Sequence, residues 1–246
     1  MKVGIADYGM NVWYGSCYSY ADRWSDIKKI GYDGLERLQP ISADDALEKA
    51  AELKRRNMDF ATCLAPNIEH AIKWTAALGK KYIWIDLDAG NDEEYYRRVN
   101  YQVEACARYG IKAVLHNHLG SRVESQEELE RFLVNCPDAG MVFDTGHLAG
   151  AGGNVIEIAE KYSERIIALH VKDFVYKDKD ASNWWERLRF CGLGCGEMGD
   201  LNAEVINILK KRGYNDWILV EHDTHLRDPL KDLEESREYI RKKCGL

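Results

Sequence analysis

Apolar residues along this 246-residue chain fall into two alternating rhythms. Short, nearly continuous apolar runs read as strands buried on both faces. They are VGIAD (3–7), YDGLERL (32–38), MDFATCLA (58–65), KYIWIDL (81–87), IKAVLHNH (111–118), GMVFDTGH (140–147), IIALHVKD (166–173) and WILVEHD (217–223). Between them lie longer stretches with helical spacing, such as 42–57, 93–110 and 202–213. Ser42 with Asp45, and Ser125 with Glu128, mark helix starts, because a hydroxyl can cap the amide three residues on. Gly31, Gly110 and Gly213 mark helix ends.

Eight alternating strand–helix units predict a single-domain α/β fold, a (β/α)8 TIM barrel over residues 1–246. An open doubly wound sheet would more often open with a glycine-rich first turn, and DYGMNVWYGS (7–16) has no Gly-x-Gly-x-x-Gly. The longest break in the rhythm, 174–200, is expected to fold over one mouth of the barrel.

Composition narrows the classes of partner. Residues are 46% hydrophobic and 30% charged, with 4 Pro, which supports a sizeable core and gives no sign of disorder. The net charge is −7, with basic residues scattered among acids at helical spacing, so nucleic acid is not the expected partner. The chain shows neither an apolar signal segment nor a run of 18 apolar residues, so no membrane span is expected. Seven irregularly spaced cysteines read as reduced thiols in a cytoplasmic protein. Tyr95, Tyr96 and Trp74 are taken as exposed aromatics that suggest a self-interface, leaving a homo-oligomer or a partner subunit as an expectation.

In a barrel, chemistry gathers where strands end at their C-terminal side. Six of the seven histidines fall there: His116, His118, His147, His170, His222 and His225. Asp144, Asp173, Glu221 and Asp223 share those ends, and Glu124 follows shortly after. Such crowding costs desolvation and like-charge repulsion unless something binds there. A divalent cation is the natural balance, with Mn2+ favoured and Mg2+, Co2+ or Zn2+ as alternatives. His118 reads equally well as a core histidine and Glu124 as a helix-start acid. Asp144, Glu221 and His170 end runs of buried apolar residues and need a partner. Trp184 and Trp185 read either as packing or as a substrate wall.

At these positions the chain resembles the xylose-isomerase-like barrel superfamily of sugar isomerases, epimerases and inosose dehydratases. The segments that carry the resemblance are LHNHLGSRVE (115–124), FDTGHLAGAGGN (143–154), LHVKDF (169–174), FCGLGCGEMGDLN (190–202) and LVEHD (219–223). The Asp-x-x-His at 144–147 with the Gly pair after it, and the His-x-Lys-Asp at 170–173, are especially similar to inosose dehydratases. The resemblance implies one metal held by four strand-end side chains. Asp144, His170 and Glu221 fall on matching positions. Glu124 is assigned the fourth place, with His116 as its rival. Epimerases of this kind resemble one another in using two metal-site glutamates as bases, and His116 stands where one of those glutamates would be. Asn154 stands where the dehydratase-like pattern often has Asp.

The residues themselves suggest proton abstraction next to a carbonyl, through an enediolate. Glu221, His116 or His118 is the expected base, with Lys172 a further catalytic group. His147 and Lys172 are placed to bind hydroxyls or steady the oxyanion, and Asp173 and Trp13 join His147 as substrate-binding residues. The leading expectation is a metal-dependent isomerase or epimerase of a sugar or keto-sugar. The alternative is a lyase on the same site: an inosose-type dehydratase, or an enzyme that cleaves keto-glycosides. A non-catalytic sugar-binding or partner subunit is the reading from another class, and a multi-metal endonuclease is disfavoured by the acidic balance. The GLGCGEMG stretch (192–199) reads as a flexible lid, or else as a backbone nest for a substrate phosphate.

Overall fold

A computed structural model describes residues 1–246 except Asp7 and Tyr18. The expected end of the first strand, Asp7, therefore lies outside the described residues. The eight expected runs each supply one parallel strand. These are β1 (Lys2–Ala6), β2 (Gly34–Leu38), β3 (Asp59–Cys63), β4 (Tyr82–Trp84), β5 (Lys112–His116), β6 (Gly140–Asp144), β7 (Ile166–Val171) and, after a two-stranded insertion, β10 (Trp217–Glu221). The sheet runs β3-β2-β1-β10-β7-β6-β5-β4, each strand beside its neighbour in barrel sequence. The barrel is nearly closed, and at the seam the Thr62 hydroxyl of β3 donates to the Tyr82 carbonyl of β4.

The period of two along each strand sorts its residues inward and outward. Outward residues such as Ile83, Leu115, Phe143, Leu169 and Val220 pack beneath the helices. A second apolar cluster, Ala61, Tyr82, Val114, Val142, Ala168, Trp217 and Leu219, fills the barrel interior. One inward step further along the strands, apolar residues give way to Glu36, Trp84, His116, Asp144, His170 and Glu221. A further step brings His118, Lys172 and Asp223. The core of the barrel is thus apolar at its base and polar at its C-terminal mouth.

Helix boundaries follow the caps. Ser42 accepts from the Asp45 amide and opens the helix Ala43–Arg55. Ser125 and Glu128 form a full capping box ahead of Gln126–Asn135. The run 140–147 is divided where the sequence reading kept it whole. Its strand stops at Asp144, whose carboxylate accepts the His147 amide at 2.8 Å and starts the short helix Thr145–Gly150. A strand-end carboxylate that also caps a helix turns the chain sharply and aims His147 back at the mouth.

The stretch 174–200 has structure of its own. β8 (Asp173–Tyr176) and β9 (Leu188–Cys191) pair antiparallel as a hairpin. The short helix Trp184–Arg187 precedes its second strand. The aromatics expected on the surface are not there: Tyr95 is buried, Tyr96 is partly buried against the core, and Trp74 packs on the core and stacks on His70. Amphipathic spacing did not reveal these contacts, because the flanking helix packs more of its circumference than one stripe. All seven cysteines are free. Among the described residues, no helix is long and apolar enough to cross a membrane.

Candidate metal centre

Four inward side chains converge at the mouth, each from the end of a different strand. One donor atom each from His116, Asp144, His170 and Glu221 lies within 4.8 Å of the other three. His170 Nδ1 is 2.7 Å from Glu221 Oε2 and 3.5 Å from Asp144 Oδ2. His116 Nε2 is 3.2 Å from Asp144 Oδ2 and 4.0 Å from Glu221 Oε2. Two imidazoles and two carboxylates, buried and aimed at one point, are the donor chemistry that Mn, Co or Zn takes. The residues present fit a divalent ion.

Lys172 holds the neighbouring position. Its ammonium is fully buried, 3.2 Å from Asp144 Oδ2, 3.0 Å from Glu221 Oε2 and 2.9 Å from Asp223 Oδ2. Burial would drive its proton off, but these three carboxylates outweigh that and raise its pKa, so it stays charged. The same pairing acts in reverse on its partners. Burial alone would raise Asp144, yet Lys172, His147 and the hydrogen-bonding imidazoles hold it well below the usual carboxylate range. Glu221 is lowered in the same way, by Lys172 and His170 against burial.

A second group, His118, His147 and Asp223, surrounds the outer side of Lys172. His147 Nε2 lies 2.6 Å from Lys172 Nζ and 3.2 Å from Asp223 Oδ2, between an ammonium donor and a carboxylate acceptor. His118 Nδ1 is 2.6 Å from the Leu119 carbonyl, which takes only a donor. The proton is therefore on Nδ1, and the Nε2 lone pair of His118 is open, with its nearest carboxylate oxygen, on Asp223, 4.0 Å away. Burial and the neighbouring cations push His118 down to about 4. Trp184 closes this side, edge-on to His118 at 5.9 Å and to His147 at 6.2 Å between ring centroids, so it walls the site while Trp185 is exposed.

Other expected site residues are placed elsewhere. Glu124 stands apart from the four-residue cluster, which includes His116 instead: the Glu124 Oε2 accepts the Gly120 amide at 2.7 Å. A strand-end residue points into the barrel, whereas Glu124 sits in the turn beyond and closes that turn on itself. Asp173 spends both oxygens on backbone amides. Oδ1 accepts Phe174 and Met198 at 2.8 and 2.9 Å, and Oδ2 accepts Gly194 and Gly196 at 2.9 and 3.0 Å. The amides of the 192–199 stretch therefore already hold an internal anion, which explains its glycines without a substrate phosphate. His222 and His225 pack on each other at 5.0 Å, and His225 faces Asp232 at 3.3 Å, away from the cluster. Trp13 is half exposed and lies edge-on to His225.

One buried acid beside the cluster has little signal in the sequence. Glu36 in β2 is fully buried, accepts from Tyr82 Oη at 3.1 Å and Trp84 Nε1 at 2.8 Å, and brings Oε2 to 3.1 Å from His170 Nε2. The only signal for it was a Glu between Leu35 and Arg37 in a strand.

The architecture and the mouth cluster together define a (β/α)8-barrel protein with a metal-binding type of donor set at the C-terminal ends of its strands. The chain belongs to the xylose isomerase-like TIM barrel family, whose profile matches residues 24–243. It is 34% identical over 166 residues to an inosose dehydratase of Bacillus licheniformis, covering 61% of this chain and 54% of that protein. The match thus spans about half the length of that curated relative. Two solved structures share the fold. The probable 3-DHS dehydratase involved in petrobactin synthesis from Bacillus anthracis superposes with a TM-score of 0.75 at 14% identity, covering 98% of each chain. The D-psicose 3-epimerase of Clostridium cellulolyticum H10 gives 0.71 at 15% identity, covering 99% of this chain and 98% of that one.

Proposed function

We propose that this protein is a sugar-modifying enzyme that dehydrates a polyhydroxy ketone of the keto-inositol or keto-sugar class, with one divalent ion held by His116, Asp144, His170 and Glu221. The observation that carries this reading is the open Nε2 of His118 beside that donor set, two residues along the strand from His116. A divalent ion bound there supplies Lewis-acid polarisation of a carbonyl oxygen, which acidifies the neighbouring C–H.

The chain's own groups then divide the work. His118 Nε2 takes the proton next to the carbonyl, and the C–H electron pair moves into the forming enolate. The Lys172 ammonium, kept charged by three carboxylates, offsets the negative charge that develops. When the electrons return, the β-hydroxyl leaves and takes the proton from the His118 imidazolium, so water departs and an unsaturated ketone remains. One imidazole serves both transfers if they occur on the same face. Trp184 limits water on that side.

The preference for elimination over epimerisation rests on proton-transfer groups. Epimerisation needs a second group on the opposite face of the substrate. Of the two carboxylates in the cluster, Asp144 caps the following helix, and His170 and Lys172 hold Glu221 at 2.7 and 3.0 Å. His116 replaces the second glutamate. Similarity to a protein named inosose dehydratase points the same way.

The test is the divalent metal content of wild type and of Asp144→Ala with Glu221→Ala, together with incubation in deuterated water with keto-inositols and ketoses. About one ion per chain, lost in the double variant, and a product lighter by one water support the dehydratase. Deuterium incorporation without loss of water moves the assignment to isomerase or epimerase. Protein that binds no metal and turns nothing over sinks the catalytic reading and leaves a binding or partner subunit.

A further inference from the structure

His170 has two ring nitrogens with different neighbours. Nδ1 faces Asp144 and Glu221, where the ion is proposed to sit. Nε2 faces Oε2 of Glu36 at 3.1 Å, an ion-pair contact, and neither of these two buried atoms makes a regular hydrogen bond. The other Glu36 oxygen is fixed as an acceptor by two donors, the Tyr82 hydroxyl and the Trp84 indole N–H. Arg37 Nε lies 3.9 Å from Oε2, within ion-pair range but beyond hydrogen-bonding distance. Glu36 is fully buried, so its carboxylate depends on these few partners, and His170 is the nearest cation-forming group to Oε2.

We propose that Glu36 is the positioning residue of the metal centre: its carboxylate holds the proton of His170 on Nε2 and so presents the Nδ1 lone pair to the ion. This rests on the metal-centre reading above. A ring nitrogen can ligate only when it carries no proton, and the nitrogen opposite a carboxylate acceptor is the one that keeps it. Glu36 touches neither ion nor substrate and acts through His170.

The substitution E36Q reverses this logic with almost no change of volume. The Tyr82 and Trp84 donors would claim the amide oxygen, leaving the NH2 group facing His170 Nε2. A donor there requires Nε2 to accept, which moves the proton to Nδ1, the nitrogen the ion needs. Calorimetric titration with MnCl2 is expected to show binding at least tenfold weaker in E36Q than in wild type, within the ten- to hundredfold range for outer-shell partners of a ligating His. Equal affinity in a folded E36Q protein overturns the proposal.

The second arm needs no variant. In wild type loaded with diamagnetic Zn2+, nitrogen-15 NMR of the imidazoles should find His170 protonated on Nε2, with that proton protected from exchange. A proton on Nδ1 overturns the assignment even if E36Q fails to fold. If wild type binds no ion at all, the metal-centre reading fails and this inference falls with it. Tight wild-type binding with an unaffected E36Q removes only the role of Glu36.

Discussion

Gly146 and Lys172 stand in direct contact beyond the ends of neighbouring strands: a Cβ built on Gly146 would lie 2.3 Å from Lys172 Cβ and 3.3 Å from its Cα. The obstacle is the root of a buried residue, not the end of a flexible side chain, so nothing nearby can swing aside. Thr145 adds to the fixity, since its hydroxyl hydrogen-bonds Asn202, whose amide donates to the Lys172 carbonyl at 2.7 Å. Gly146→Ala is therefore expected to lower stability by about 1–3 kcal/mol, the usual range for overpacking, and to displace the ammonium. Urea unfolding measures the first effect. Turnover falling more than the folded fraction does would show the second.

Removing the Lys172 charge should cost more. Asp144, Glu221 and Asp223 each have an oxygen within 3.2 Å of the ammonium, and Lys172→Met would leave all three buried without it. Breaking a buried ion pair from one side costs about 3–5 kcal/mol. A divalent ion should partly replace the missing charge. The predicted signature is a melting temperature that rises more steeply with MnCl2 in the variant than in wild type. Parallel dependence in both would show that the ion and the ammonium are not electrostatically linked.

Far from the mouth, Asp59 at the base of the barrel pairs with Lys2 at 2.6 Å and with Lys80. Burial pulls its pKa up, but hydrogen bonds from the two lysines and the Phe60 amide prevail and bring it below the ordinary 3.8. A carboxyl whose folded pKa is depressed adds stability above the unfolded pKa and loses it as pH falls through the folded value. Asp59→Asn should thus be less stable than wild type near neutrality by roughly 1 kcal/mol, a small figure because both pairs are partly solvated. The gap should close below about pH 4. Chemical denaturation at a series of pH values checks this, and a pH-independent gap would mean that packing, not charge, sets the difference.

Most of the barrel was legible because its strands are buried on both faces and so read as apolar runs. The strand ends were less so. GMVFDTGH runs unbroken in hydropathy, and only the hydrogen bond from the His147 amide to Asp144 shows that the strand gives way to a helix at Asp144. The β8–β9 hairpin was hidden because its two four-residue strands flank a charged stretch and neither shows a decisive alternation. In the site, proximity to a strand end picked out Asp144, His170, Glu221, His116 and Lys172. It also swept in His222 and His225, since position along a strand says nothing of which way the following loop turns. Glu36 shows the opposite limit. A lone acid in a strand reads as a solvent-facing residue, and only closure of the sheet turns that face into the interior of a barrel.

The rivalry between His116 and Glu124 is open to a direct test. His116 ends β5 and points inward, with its ring 4.8 Å from that of His170 and 4.5 Å from Trp84. Glu124 lies in the turn beyond, with its carboxylate on the Gly120 amide and its own amide held by Glu128 at 3.0 Å. Reaching the cluster would require Glu124 to give up the first of these contacts. His116→Ala should therefore weaken Mn2+ binding by a hundredfold or more, about 3 kcal/mol at 1.4 kcal/mol per factor of ten. Glu124→Gln should change it less than twofold, because an amide oxygen can accept from Gly120 as the carboxylate does. Titration of both variants with MnCl2 decides between them. A large loss in Glu124→Gln with little in His116→Ala would mean that the turn rearranges when the ion binds, and that the fourth ligand is the glutamate.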